Sequence, residues 1–283
     1  MKALTKIQSG LALVALFLII AMTGCNNAAT NDQNANTAAA DTIKKEVILS
    51  PESQNTLYAL PTPFEVTTLL QKAKAGFIFD ITNPPANVDK YSTEMSKALN
   101  LGVYSADLSY SATYNRTDET NKFLACTNKL ADQLGIAGVY DQSLLDKVKK
   151  FKNNKDSLIG LISKIFSQTN NFLASNNRTK VAVLIAAGAF SEGLYLTASL
   201  GEVAKDNTKI MAVISGQIDN HMKLLTILQA YQEDENMKPV VDGIAKLKPI
   251  WGIYSIESGK KMPQEKAAEI SDLTESVRLS FVK

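Results

Sequence analysis

From about residue 60 onward the apolar positions recur at helical intervals, and no stretch alternates with period two for long enough to propose a strand. The segment LPTPFEVTTLLQKA, residues 60–73, sets the pattern. Thr62 is placed to cap, Pro63 has the fixed φ suited to a first helical position, and Glu65 completes a capping box. After the Asn83-Pro84-Pro85 break, ANVDKYSTEMSKALNLG predicts a helix ending around Gly102, and VYSADLSYSATY a further one. Beyond a turn at Asn115-Arg116, DETNKFLACTNKLADQLG carries a stripe of Phe123, Thr127, Leu130 and Leu134, widened by Leu124 and Ala131. More helices are predicted over 141–151, 155–175, 179–204, 208–232, 237–248 and 263–282, separated by Asn, Gly and Pro clusters. The expected fold class is all-α, a multi-helix bundle of antiparallel helical hairpins. GVYSADLSYSAT from Gly102 and GAFSEGLYLTAS from Gly188 share Gly, Ser, Leu and Ala at matching places, with Tyr104 aligned to Phe190. This echo points to a duplicated hairpin unit, at a spacing that no tetratricopeptide period fits.

Residues 181–200, VAVLIAAGAFSEGLYLTASL, are apolar on every side except at Glu192. Their length permits a membrane crossing, but a carboxylate near the middle is costly in lipid, and the expectation is a central core helix. Ala182, Ala186, Ala189 and Gly193 form a stripe of small residues that lets neighbouring helices come close. The short turn at Lys205-Asp206-Asn207 sends the next helix back antiparallel. Folded about that turn, Val203 meets Met211, Ser199 meets Ile214, Leu196 meets Ile218, and Glu192 arrives level with His221, the single histidine of the chain. Such a pair can keep both charges by hydrogen bonding. It either fixes helix register or orients a general base and lines a ligand pocket. Asp107, the second acid in an apolar helix, is expected to accept hydrogen bonds from Tyr or Ser hydroxyls, with a pocket role as the alternative. Trp251 and Tyr254, in PIWGIYS, could stack on a flat ligand or serve as core or lid. Cys126, at the edge of its helical stripe, reads as a buried inert thiol.

The amino end has a different character. Lys2 and Lys6 precede an apolar run of twelve residues, Leu11 to Met22, too short for a spanning helix and suited to a signal-peptide core. It closes on Met22-Thr23-Gly24-Cys25, which resembles the lipobox of bacterial lipoproteins, with Met22 where leucine is commoner. The resemblance implies cleavage of residues 1–24 and acylation of Cys25 by fatty chains such as palmitate, each methylene contributing about 0.8 kcal/mol of membrane affinity. Residues 26–41, NNAATNDQNANTAAAD, have almost nothing to bury and read as a disordered tether. The expected organisation is therefore a signal peptide over 1–24, a lipidated cysteine and tether over 25–55, and one helical domain over 56–283. No acidic cluster follows Cys25, which favours the periplasmic face of the outer membrane. The strings LPTPFEVTTLL, ANVDKYSTEMSKALNLGVYSADLSY, KLADQLGI and AAGAFSEGLYL resemble those of a family of uncharacterised all-helical lipoproteins from Bacteroidetes-type bacteria, over most of residues 56–283. That resemblance implies an all-α fold and an envelope location, and it supplies no activity.

Charge and residue usage narrow the chemistry. Removal of Lys2 and Lys6 with the leader takes the basic count from 30 to 28, equal to the 28 acidic residues. A neutral mature protein lacks the electrostatic footprint of a nucleic-acid binder. With Cys25 acylated, Cys126 has no disulfide partner, and one histidine with one thiol does not make the usual zinc sets. No GxSxG, Walker loop or dinucleotide fingerprint occurs, and no cofactor is implied. The expected function is a non-enzymatic, lipid-anchored binding or scaffold module, touching membrane lipid through Cys25 and an envelope protein partner. The alternatives are a small-molecule binder with an interhelical pocket near Glu192 and His221, and a hydrolase that uses carboxylates.

Overall fold

A computed structural model describes residues 47–139, 146, 147, 150, 154–251 and 262–283. Among the described residues the protein is all-α, with no strand, and residues Glu46–Lys283 cluster as one compact unit. The predicted helix over 141–151 lies largely outside the described residues, as do Cys25, the leader, residues 26–41 and Tyr254.

The first helix, α1 (Pro51–Tyr58), begins inside the segment expected to be tether. Ser50 caps it by accepting the Ser53 N–H, Pro51 occupies the first turn, and Leu49 and Leu57 are buried, which is what fixes this segment on the body. Helix α2 (Pro63–Lys72) starts as predicted: Glu65 N–H donates to Thr62 Oγ1 and Thr62 N–H donates to Glu65 Oε2. A 3-10 turn, Pro85–Lys90, leads into α3 (Glu94–Thr113). The expected stop at Gly102 does not occur, and one continuous helix replaces the two predicted ones. Helix α4 (Thr117–Gln133) returns along α3 after a turn in which Asn115 has positive φ.

Helix α5 (Lys155–Ser175) precedes the longest helix, α6 (Thr179–Val203). The predicted helix over 208–232 is two pieces, α7 (Thr208–Ser215) and α8 (Ile218–Gln229), interrupted at Gly216 and Gln217. Helices α9 (Lys238–Ala245), α10 (Lys248–Trp251) and α11 (Lys266–Val282) complete the described chain.

Helix α6 is the axis of the bundle, touching α1, α2, α3, α5, α7, α8, α9 and α11. It is long and apolar enough to cross a membrane by length and composition, yet other helices bury 19 of its 25 residues. Its main partner α3 is as deeply buried: every residue from Ala98 to Thr113 is out of solvent. The polar letters of α3 conceal this in the sequence. Ser105, Ser109 and Ser111 each donate to a carbonyl of their own helix, at 2.6, 2.8 and 3.0 Å, so burial leaves these hydroxyls satisfied.

The two echoing segments cross each other. A Cβ on Gly102 would lie 2.1 Å from the Ile185 carbonyl oxygen, and one on Gly188 would lie 1.9 Å from the Leu99 carbonyl oxygen. The pairs 99/185 and 102/188 share one offset, so the contact is reciprocal about a local two-fold. Glycine sits inside both helices because each backbone occupies the space of the other's side chain. The closest approaches are therefore at Gly102 and Gly188; Ala189 of the small-residue stripe takes part, its backbone N 2.6 Å from a Cβ on Gly102, and Ala182, Ala186, Ala189 and Gly193 also line a cleft.

Candidate functional site

Three ionisable side chains meet where α3, α6 and α11 join. Asp107 and Glu192 are fully buried, and Arg278 is 7% exposed. Arg278 Nε donates to Glu192 Oε2 at 2.6 Å, and its guanidinium lies over the Tyr195 ring, 4.7 Å from the centroid. Asp107 Oδ2 accepts the backbone N–H of Asn83 at 3.1 Å, while Asp107 Oδ1 and Glu192 Oε1 are both buried with no hydrogen-bond partner. Around this core, Asn83 Nδ2 donates to the Tyr91 hydroxyl at 2.9 Å, which donates to the Val282 carbonyl at 3.4 Å. Asn100 Nδ2 donates to the Phe281 carbonyl at 2.8 Å. Arg278, Phe281 and Val282 of the last helix are thereby tied to α6, to α3 and to the segment before α3.

Burial pushes the Asp107 carboxyl well above the ordinary carboxylate range, with the Glu192 charge adding to the rise and Arg278 opposing it. Burial also raises Glu192, against the pull of the Arg278 guanidinium. For Arg278, burial works toward a lower value, but the two acids prevail and raise it.

The expected Glu192–His221 pair does not form. Glu192 bonds Arg278, while His221 Nε2–H donates to the Ile244 carbonyl at 2.8 Å. The break at Gly216 and Gln217 disrupts the single long helix on which the register rested. The hairpin does close, but Ile210 and Ile214 pack over Gly201, and Val203, expected to meet Met211, is 67% exposed. His221 lies between the rings of Phe190 and Trp251, at 5.9 and 6.1 Å, and burial lowers its basicity so that the neutral ring is favoured. Because a carbonyl only accepts, the neutral ring carries its proton on Nε2. Asp107 also differs from expectation, since its protein donor is the backbone of Asn83 and not a Tyr or Ser hydroxyl.

Trp251 is core, 2% exposed. Cys126 is buried with its thiol pushed up to about 11, chiefly by burial, as an inert thiol requires. Arg278, Asn83 and Tyr91 are the members of the cluster that the sequence reading missed. Arg278 carried a signal: it shares a helical face with Thr274, Phe281 and Val282, a cation on an apolar stripe.

Among the described residues, a cleft of about 60 Å³ lies between α1, α2, α5, α6 and α8, enough for a few waters or one short apolar group. Ala182, Ala186, Ala189 and Gly193 form its floor, and Phe166 and Phe190 bring rings to it. Thr62, Asn170, Gln217 and Asn220 supply neutral polar groups. A Cβ on the buried Gly193 would meet nothing within 4 Å, so this stretch of α6 faces open space. Although residues adjacent to Glu192 and His221 line the cleft, those two side chains are directed elsewhere. Among the described residues, the lining contains no Asp, Glu, Lys, Arg, His or Cys. Among the described residues, no group of three His, Cys, Asp or Glu side chains gathers as a metal set. No family model, no curated protein and no solved structure matches the chain.

Proposed function

We propose that this protein is a lipid-anchored, non-enzymatic binding module of a bacterial cell envelope, and that what it binds presents an uncharged, mainly apolar group to the cleft beside α6. The carrying observation is the composition of that cleft: among the described residues, apolar walls, four neutral polar side chains and no ionisable group. General acid–base or nucleophilic catalysis needs a titratable side chain within reach of the reacting atoms. The acids and the imidazole flagged by the sequence are buried and partnered outside the cleft. The envelope part of the reading is supported by the charged start, the short apolar run and the lipobox ending in Cys25.

A small molecule and a side chain of an envelope protein offer the cleft the same chemistry, and the test separates them. The protein is purified from detergent-solubilised envelopes and its amino-terminal peptide analysed by mass spectrometry; the expected species is Cys25 at the amino end carrying acyl chains. Native mass spectrometry of the same preparation is expected to show either a stoichiometric protein partner or a retained neutral compound. Thermal shifts against matched neutral and carboxylate forms of the same aliphatic and aromatic probes are expected for the neutral forms alone. Turnover of any substrate abolished by Glu192→Gln in a folded variant overturns the non-enzymatic reading. An unmodified thiol at Cys25 or an uncleaved leader overturns the anchored one.

A further inference from the structure

The junction of α3, α6 and α11 holds two carboxyl groups and one guanidinium out of solvent. Arg278 is bonded to Glu192, so the guanidinium balances that carboxylate. Asp107 then faces Glu192 with no second cation. Asp107 Oδ1 and Glu192 Oε1 are both buried and have no hydrogen-bond partner, while Asp107 Oδ2 is occupied by the Asn83 N–H. Two neighbouring carboxylates that share one counter-charge cannot both ionise in a dry site, whereas a carboxyl–carboxylate pair can make a strong hydrogen bond.

We propose that Asp107 and Glu192 share one proton, carried by Asp107, and that this proton is the clasp that holds the C-terminal helix α11 on the α3–α6 crossing. The arrangement is Asp107 O–H donating to Glu192, and Glu192 accepting from Arg278 of α11 on its other oxygen. Three polar links converge on the end of α11: Arg278 to Glu192, Asn100 to the Phe281 carbonyl, and Tyr91 to the Val282 carbonyl. Losing the proton sets a second negative charge beside Glu192 and returns the site to water, which undocks α11. The other titratable groups around the pair are Tyr91, Tyr104 and Tyr110 from α3 and its approach, Cys126 from α4 and Tyr195 from α6, with Glu275 of α11 beside Tyr195. Burial raises these tyrosines and the thiol, as it raises Asp107.

The sign of the pH dependence follows. An unfolded Asp releases its proton near about pH 4, while the folded protein retains it. Above that point the folded state binds one proton more than the unfolded state, so the folding constant falls about tenfold per pH unit until Asp107 ionises in the fold. Asp107→Asn keeps the shape, donates an N–H to Glu192 and has no proton to lose.

The experiment uses isotope-edited infrared spectroscopy and hydrogen exchange on the intact chain. A protonated-carboxyl band at neutral pH, absent from Asp107→Asn, is the expected result. Exchange in residues 266–282, corrected for intrinsic rates, is expected to rise on the alkaline side of neutral by about tenfold per pH unit in the parent protein and to stay flat in Asp107→Asn. Glu192→Gln is expected to loosen the same helix already at neutral pH. A spectrum with no protonated carboxyl at neutral pH overturns the proposal, as does equal pH dependence in the parent and Asp107→Asn. If Asp107→Asn does not fold, the band in the parent protein, assigned by its loss on alkaline titration in step with α11 exchange, decides the matter alone.

Discussion

Gly102 of α3 and Gly188 of α6 each lie against the backbone of the other helix, Gly102 at Ile185 and Gly188 at Leu99. Neither contact has a flexible side chain that could move aside. A methyl group at either position forces two fully packed helices apart, and both helices are buried along most of their length. Gly102→Ala or Gly188→Ala is therefore expected to destabilise by more than about 3 kcal/mol, beyond the usual cost of overpacking a core. Gly160→Ala, on α5 with nothing within 4 Å of the added carbon, is the control and is expected to stabilise by about 0.5–1 kcal/mol. Denaturant midpoints with unchanged slopes check both; equal effects at the three glycines would show that the crossing is not tight.

Breaking the Glu192–Arg278 pair leaves a buried charge without its partner. Arg278→Met or Glu192→Gln is expected to cost about 3–5 kcal/mol. The double variant Glu192→Leu/Arg278→Leu removes both charges and is expected to be no less stable than either single change, which chemical denaturation of all three variants measures.

The imidazole of His221 makes a prediction of opposite pH sign to that of Asp107. Its folded-state affinity for protons is lowered by burial, and it remains neutral while the unfolded histidine titrates near about 6.5. Stability is expected to fall as the pH drops below that value, because the unfolded chain then binds the extra proton. His221→Gln removes this acid-side slope, and a two-dimensional NMR titration showing the ring ionising at or above the ordinary value would contradict the assignment. His221→Leu leaves the Ile244 carbonyl without its donor and is expected to cost about 1–3 kcal/mol while leaving cleft ligands bound.

Gly193 separates stability from binding. Its added carbon meets nothing, so Gly193→Ala is expected to stabilise α6 by about 0.5–1 kcal/mol. Gly193→Leu projects into the cleft and is expected to abolish thermal shifts by neutral probes without unfolding the protein. Retained ligand shifts in Gly193→Leu would place the binding site elsewhere.

Local chemistry was legible in the sequence wherever one helix end decided it. The Thr62–Glu65 capping box, the Asn115 turn and the extents of α5 and α6 follow from residues that lie within a few positions of each other. Gly102 was misread as a stop because a glycine that ends a helix and one that admits a neighbouring backbone look alike in one dimension. The echo between residues 102–113 and 188–199 did carry the crossing, though it was read as a sign of duplication and not of contact. The site was half legible. Glu192, Asp107 and His221 stood out as lone ionisable residues in apolar surroundings, and all three are buried. Their partners were not legible, since Arg278 lies 86 residues from Glu192 and the pairing depended on a helix that breaks at Gly216.

A cleft lined without a formal charge has consequences for traffic through it. For a neutral ligand of the kind proposed, occupancy is expected to be indifferent to ionic strength and to acidification over the range in which the fold survives, because no described lining group is charged or titrates. If the cleft takes a neutral group as proposed, loading and unloading follow concentration and competition alone, by mass action.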